Sequence, residues 1–252
     1  MVPLASFAFI GGMITGSFVG VVAHRVPRGH SIVGPRSECP SCGAQIAAYD
    51  NVPVVSWLLL GGHCRSCHAR IPARYPLIEL GVGLAFAATA LVLRDDPAQL
   101  ALGLVFVAVL AAITLTDLER RVIPNAILLV GSAIGIGIIG ATDPSSLPER
   151  GAAAAGAGGF LLLFALLYPR GMGMGDVKLA AVMGLFLGVS VVPALAVGIA
   201  LGAVAGAVLM LRYGAEARKH AVPFGPFLAI GGVVGLLAGS ALIDAYLNSF
   251  LR

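Results

Sequence analysis

Along most of this chain apolar residues do not alternate with polar ones; they run unbroken for the length of a membrane crossing and then stop at short polar clusters. A spanning helix needs about 20 mostly apolar residues, and such runs stand at Leu4–Ala23, Pro76–Leu93, Ala98–Thr116, Val122–Ala141, Gly151–Tyr168 and Pro226–Leu247. Each predicts one span. The run from Val177 to Leu211 is longer: 35 residues, about 52 Å as one helix against an apolar core of about 30 Å. Pro193 is a natural break, which divides it into a short span near Val177–Val189 and a longer one near Val192–Leu211. That makes eight helices.

Charge tests the division, because inner loops carry excess Lys and Arg and every added span moves each later loop to the opposite side. With the N-terminus outside, the inner side holds Arg25, Arg28, Arg36, Arg65, Arg70, Arg74, Arg120, Arg121, Arg170, Lys178, Arg212, Arg218 and Lys219. The outer side keeps Arg94, Arg150 and Arg252. With one span fewer, the basic loop Arg212–His220 would fall outside. Composition agrees: 58% of residues are hydrophobic and 11% charged, whereas soluble domains carry about 25% charged residues. The formal charge of +4 is explained by topology and calls for no nucleic-acid partner. Leu4–Ala23 lacks the basic n-region and clear cleavage site of a signal peptide, so it is the first helix. Gly11, Gly12, Gly16 and Gly20 let neighbouring helices approach it closely.

After His24-Arg25-Val26-Pro27 come about fifty residues too polar and proline-punctuated to enter lipid. They contain Cys39-Pro40-Ser41-Cys42 and Cys64-Arg65-Ser66-Cys67, separated by 21 residues. Two CxxC pairs at this spacing match a zinc ribbon, in which four thiolates hold Zn²⁺ tetrahedrally and supply the folding energy of a domain with little core. Four sulfurs leave no open position, so the metal is structural. Disulfides are the competing reading, but the charge rule places the loop on the reducing side. His63 and His68 flank the second pair as substitute ligands or solvated neighbours. Within the loop, Val54–Leu60 is apolar enough to lie against the bilayer, and Trp57, the only tryptophan, reads as an interfacial anchor. Glu79, just inside the second span, needs a cation or hydrogen bonds, and Arg74 is the nearest candidate.

The expected fold is therefore an all-α polytopic membrane protein with about eight transmembrane helices and a small cytoplasmic zinc-binding loop domain after the first. Residues 1–24 form the first helix, 25–75 the four-cysteine domain, and 76–252 a membrane core of about seven helices.

Two carboxylates fall at the inner end of that core. Asp117 closes the third span, and Asp176 follows the glycine run Gly171-Met172-Gly173-Met174-Gly175. The bland reading makes the glycines packing contacts and Asp176 a helix N-cap. The functional reading starts from the cost of an ionisable group at a membrane boundary. Like charges held together in low dielectric cannot both ionise readily, so such a pair shares one proton. One aspartate then takes a proton from water while the other donates to a carbonyl oxygen. Lys178 stands near enough to orient or bias them. The same pair would equally serve as the proton relay of a proton-coupled transporter, and a zinc-dependent scaffold is a third reading. Pro223-Phe224-Gly225-Pro226 adds a bent, backbone-exposing entry to the last span, on the same side.

The residues that choose among these are Gly16-Ser17-Phe18, His24-Arg25-Val26-Pro27, the two CxxC pairs, Arg74-Tyr75-Pro76 with Glu79, Asp117 before Ile123-Pro124, Gly173-Met174-Gly175-Asp176-Val177-Lys178-Leu179, and Pro223-Phe224-Gly225-Pro226. In this order, over nearly the whole chain, they resemble the bacterial type IV prepilin leader peptidase/N-methyltransferase family of GxGD aspartic membrane proteases. The resemblance implies Asp117 and Asp176 as the catalytic pair. Gly173 and Gly175 would shape the substrate approach, with Lys178, Arg74 and Glu79 in support. It implies prepilin and pseudopilin substrates cut after a glycine on the cytoplasmic side, in the bacterial inner membrane. It further implies N-methylation of the new terminus from S-adenosylmethionine.

Overall fold

The computed structural model describes residues 2–34, 36–168, 172–214 and 222–250. Pro169, Arg170 and Gly171 of the expected glycine approach, residues 218–221 of the expected basic loop, and Arg252 lie outside them. The chain packs as two compact units, Met1–Asp95 and Asp96–Arg252.

In the first unit, α1 (Val2–Arg25) packs on α3 (Arg74–Val92), with the polar loop and the short α2 (Val55–Leu59) between them in sequence. The glycine seam expected in the first helix is the contact. A Cβ on Gly16 would lie 2.7 Å from the Cα of Glu79, and one on Gly12 would lie 2.8 Å from the Cα of Gly83. Backbones meet there because no side chain intervenes.

The second unit contains α4 (Pro97–Arg120), α5 (Asn125–Thr142), α6 (Leu147–Leu167), α7 (Met174–Leu187), α8 (Val191–Tyr213) and α9 (Gly225–Phe250). Seven helical stretches among the described residues are long and apolar enough to cross a membrane, and the forty residues of Met174–Tyr213 count as one of them. That stretch is broken, and Pro193 is not the cause. The break is at Gly188, whose φ of 56° and ψ of −135° suit glycine alone. Pro193 instead sits in the first turn of α8, where a missing N–H costs nothing.

The glycines of α9 show that the chain reverses there. Gly232 lies against Met183 and Gly235 against Leu187, so α7 and α9 run parallel, whereas Gly231 meets Gly198 and Gly239 meets Ser190, so α8 runs antiparallel to α9. Hence α7 and α8 form separate, opposed segments within a stretch that counts as one of seven candidate spans, where the sequence predicts two of eight. At 14 residues, about 21 Å, α7 is too short to cross alone. Its core face packs Leu179, Ala180 and Met183, all fully buried, and Phe186 stacks on Phe106 of α4 at 5.1 Å. Outward side chains such as Leu129 and Leu211 are 69% and 87% exposed, which suits lipid contact.

The last turn of a helix leaves carbonyls without partners in the helix itself. Arg150, at the start of α6, meets that need: its Nη1 donates to the carbonyls of Phe186 at 2.7 Å and Leu185 at 3.3 Å, and its Nη2 reaches Gln99 Oε1 of α4 at 3.4 Å. A cation at a helix C-terminus also opposes the dipole. We expect Arg150→Met to cost about 2–4 kcal/mol, the loss of charge-assisted bonds to buried carbonyls. Arg150→Lys should recover part of it, as read by thermal unfolding in detergent. An unchanged midpoint for the Met variant would refute the clamp.

Candidate functional site

In the second unit two carboxylates from different helices lie toward the same end. Asp117 lies in the last turn of α4, which closes where Arg121 takes a left-handed conformation (φ 55°) and returns its N–H to the Asp117 carbonyl at 2.8 Å. Asp176 lies in the first turn of α7. Since α4 and α9 run antiparallel and α7 and α9 parallel, both aspartates reach the end of the unit where α9 begins. They are close enough to interact electrostatically.

Asp117 is 6% exposed. Its Oδ2 accepts the backbone N–H of Gly225 at 2.8 Å, the first residue of α9. Preceding it, Thr116 is fully buried and spends its hydroxyl on the carbonyls of Ala112 and Ile113. Asp176 is half-buried, and the N-cap of α7 is Gly173, so this aspartate is not the helix N-cap. The positive helix end still favours a carboxylate in its first turn.

The two glycines before Asp176 have different neighbours. A Cβ on Gly173 would face Asp176 Oδ2 at 3.3 Å, while one on Gly175 would collide with Ile123 at 2.9 Å. Gly173 thus keeps the carboxylate open, and Gly175 lets α7 close on the segment after α4. Lys178 places Nζ 3.0 Å from Asn125 Oδ1, tying α7 to the first residue of α5.

Gly225 is not among the site residues the sequence predicts, although its Pro-Phe-Gly-Pro surroundings mark the segment. A Cβ there would lie 2.8 Å from Asp117 Oδ2. Gly225→Ala should therefore displace either the carboxylate or the N–H that holds it. We expect whatever activity depends on Asp117 to fall about 10- to 100-fold, the equivalent of one hydrogen bond to a charged group. Full activity in that variant would show the contact to be incidental.

In the first unit the four cysteines converge, with all four Sγ atoms within 4.8 Å of one another and Cys39 and Cys67 at 3.7 Å. A tetrahedron with Zn–S bonds of about 2.3 Å has edges of about 3.8 Å, so the cradle fits such an ion. The two knuckles are the same turn made twice. Cys39 and Cys64 donate N–H to the carbonyls of Ala44 and Ala69, and accept from Gly43 and His68 at 2.8 and 3.0 Å. Gly43 and His68 occupy matching backbone positions, both with positive φ, 70° and 55°, and the group placed to hold a metal consists of the four cysteines. The N–H groups of Ser41 and Cys42 hold the Cys39 thiol down to about 6. Cys67 receives the Ala69 N–H, which lowers it, yet hydrogen bonding to Cys42, burial and the other two sulfurs drive it up to about 12. Four sulfurs this close are positioned to hold a metal ion.

Asp50 braces the second knuckle through two bonds to Arg65, at 2.8 and 2.6 Å. The guanidinium holds the Asp50 carboxyl below its usual range, so this contact is intact at neutral pH and is lost as pH falls through that depressed value. Trp57 is not turned outward as an anchor: its Nε1 donates to the Ile71 carbonyl at 3.0 Å, and its ring lies over Gly62. Glu79 Oε2 accepts the N–H of Val54 at 2.7 Å, and the Arg74 guanidinium stacks on Tyr75 at 5.2 Å.

Comparison with known proteins covers both units. Residues 10–93 match the family described as the bacterial peptidase A24 N-terminal domain, and residues 104–211 match the type IV leader peptidase family. The chain is 33% identical to the prepilin leader peptidase/N-methyltransferase of Aeromonas salmonicida, over 98% of this chain and 94% of that one. It is 34% identical to the Bacillus subtilis protein of the same name, over 98% of this chain and all of that one. No solved structure matches the chain.

Proposed function

The chain belongs to the type IV leader peptidase family, and from that premise we propose that it is a membrane aspartic endopeptidase cleaving type IV prepilin-like proteins, with Asp117 and Asp176 as its catalytic pair. The observation that carries the reading is the placement of these two carboxylates, from separate helices, at the end of the second unit where α9 begins. One ionised carboxylate takes a proton from water. The resulting hydroxide adds to the scissile carbonyl while the other, protonated carboxyl donates to its oxygen. Collapse of the tetrahedral intermediate breaks the C–N bond as a proton passes to the leaving amine. No covalent intermediate forms.

The surrounding residues take supporting roles. Gly225 N–H fixes the rotamer of Asp117, and Gly173 leaves room for an extended substrate backbone beside Asp176. Lys178 acts through Asn125, holding α7 and α5 together. The cut falls after a glycine on the cytoplasmic side, in the bacterial inner membrane, as the basic residues of the sequence favour. The four-cysteine loop, residues 25–75, binds structural Zn²⁺ and faces the same side, joined to the core of residues 76–252. N-methylation of the new terminus from S-adenosylmethionine is the second activity, which the names of the relatives favour.

Mass spectrometry of a candidate prepilin co-expressed with this protein tests the reading, since one mass reports leader removal and methylation together. The expected product is the shortened, methylated pilin. An intact leader, with proton flux through reconstituted vesicles instead, would replace the peptidase by a carrier.

A further inference from the structure

α2 is too short to be a membrane helix, yet its surface is divided like one that lies in an interface. Ser56 is 6% exposed and donates its hydroxyl to the carbonyls of Tyr49 and Val52, while the Trp57 indole is spent on Ile71 and Gly62. These form its inner face. On the other side Val52, Val55, Leu58 and Leu59 are 46%, 49%, 63% and 82% exposed. The spacing of Val55, Leu58 and Leu59 puts them on one stripe of the helix. Among the described residues of the first unit, none covers that stripe.

Its depth is set by a second observation. Val54, the residue before α2, donates its N–H to Glu79, the sixth residue of α3. Glu79 therefore lies about 7 Å along α3 from its first residue, on a helix whose Leu77, Leu80 and Leu84 are 65%, 38% and 57% exposed. A carboxylate at that level needs a donor, and the Val54 N–H supplies one. Val54 holds φ at 61°, a conformation that costs a β-branched residue about 1–3 kcal/mol unless its surroundings impose it. The contact thus fastens the start of α2 to a fixed height on a membrane helix.

We propose that α2 is an interfacial segment: Val55, Leu58 and Leu59 enter the bilayer at the headgroup–acyl boundary, continuous with the lipid-facing side of α3, and Glu79 sets their depth. The occupant of the stripe is lipid. The four-cysteine loop is then held against the membrane rather than suspended from the ends of α1 and α3. The proposal is independent of the peptidase reading, because it concerns only where the loop sits.

Trp57 is the only tryptophan in the chain, so the intact protein reports on its own α2. In lipid nanodiscs, phosphatidylcholine brominated high on the acyl chain should quench its emission about two-fold, and lipid brominated near the chain end should quench it less, as burial by about 5–10 Å predicts. Leu58→Asp with Leu59→Asp should remove most of the quenching. Glu79→Gln, which weakens the clamp, should shift the depth preference. Metal content of these variants shows whether the loop remains folded. Wild-type quenching that is absent, equal at both bromine depths, or unchanged in the double aspartate variant would overturn the proposal. Loss of wild-type quenching when a second copy or a substrate is added would assign the stripe to protein and overturn it equally.

Discussion

Replacing either Asp117 or Asp176 by Asn should lower leader cleavage by at least about 10³-fold while the protein remains folded. Asparagine keeps the shape but cannot take a proton from water, nor serve as an acid toward the carbonyl oxygen. The two losses should not add, because a pair sharing one proton fails as a unit. Asp117→Asn also puts a neutral acceptor or an amide donor against the Gly225 N–H that now meets Oδ2 at 2.8 Å, so its thermal midpoint should fall slightly more than that of Asp176→Asn. A leader-cleavage gel on membranes carrying each variant makes the measurement. Normal cutting by either one would end the two-aspartate mechanism.

The second large effect concerns the metal. The wild-type chain should contain one zinc ion, and Cys→Ser at Cys39, Cys42, Cys64 and Cys67 together should reduce zinc content to background. Structural zinc contributes about 10–16 kcal/mol in small domains. The loop has little else: among its described residues, regular structure amounts to two isolated bridges, Glu38 with Gln45 and His63 with Arg70, the short 3-10 turns Val26–Arg28 and Ala48–Asn51, and the five residues of α2. The variant loop should therefore open to protease between the knuckles. Stability and methylation should be lost before peptide hydrolysis, since the two aspartates lie in the other unit. Undiminished zinc in the fourfold variant would refute the assignment.

Features written in contiguous residues are legible in the sequence alone. The apolar runs declare their helices because burying twenty side chains in lipid is a property of the segment itself. The knuckles do likewise, since each closes within six residues on its own backbone bonds. Partners chosen across the fold are not legible in this way. The sequence points Glu79 toward Arg74, its neighbour along the chain, and gives no sign of the backbone N–H 25 residues earlier that Glu79 also meets. The stronger local signal for a break after α7 is Pro193, but the break lies at Gly188.

By itself, then, the sequence determined that the chain is a bundle of membrane helices with a four-sulfur loop, and that two acids lie near one face of it. Only the tertiary structure decided that Gly225 grips Asp117 across 108 residues, that Arg150 closes the open end of α7, and that Glu79 fastens α2 to α3. The physical reason is common to all three. Each joins a side chain to a backbone group, and every residue carries such groups, so only the packing of distant helices selects which one is met.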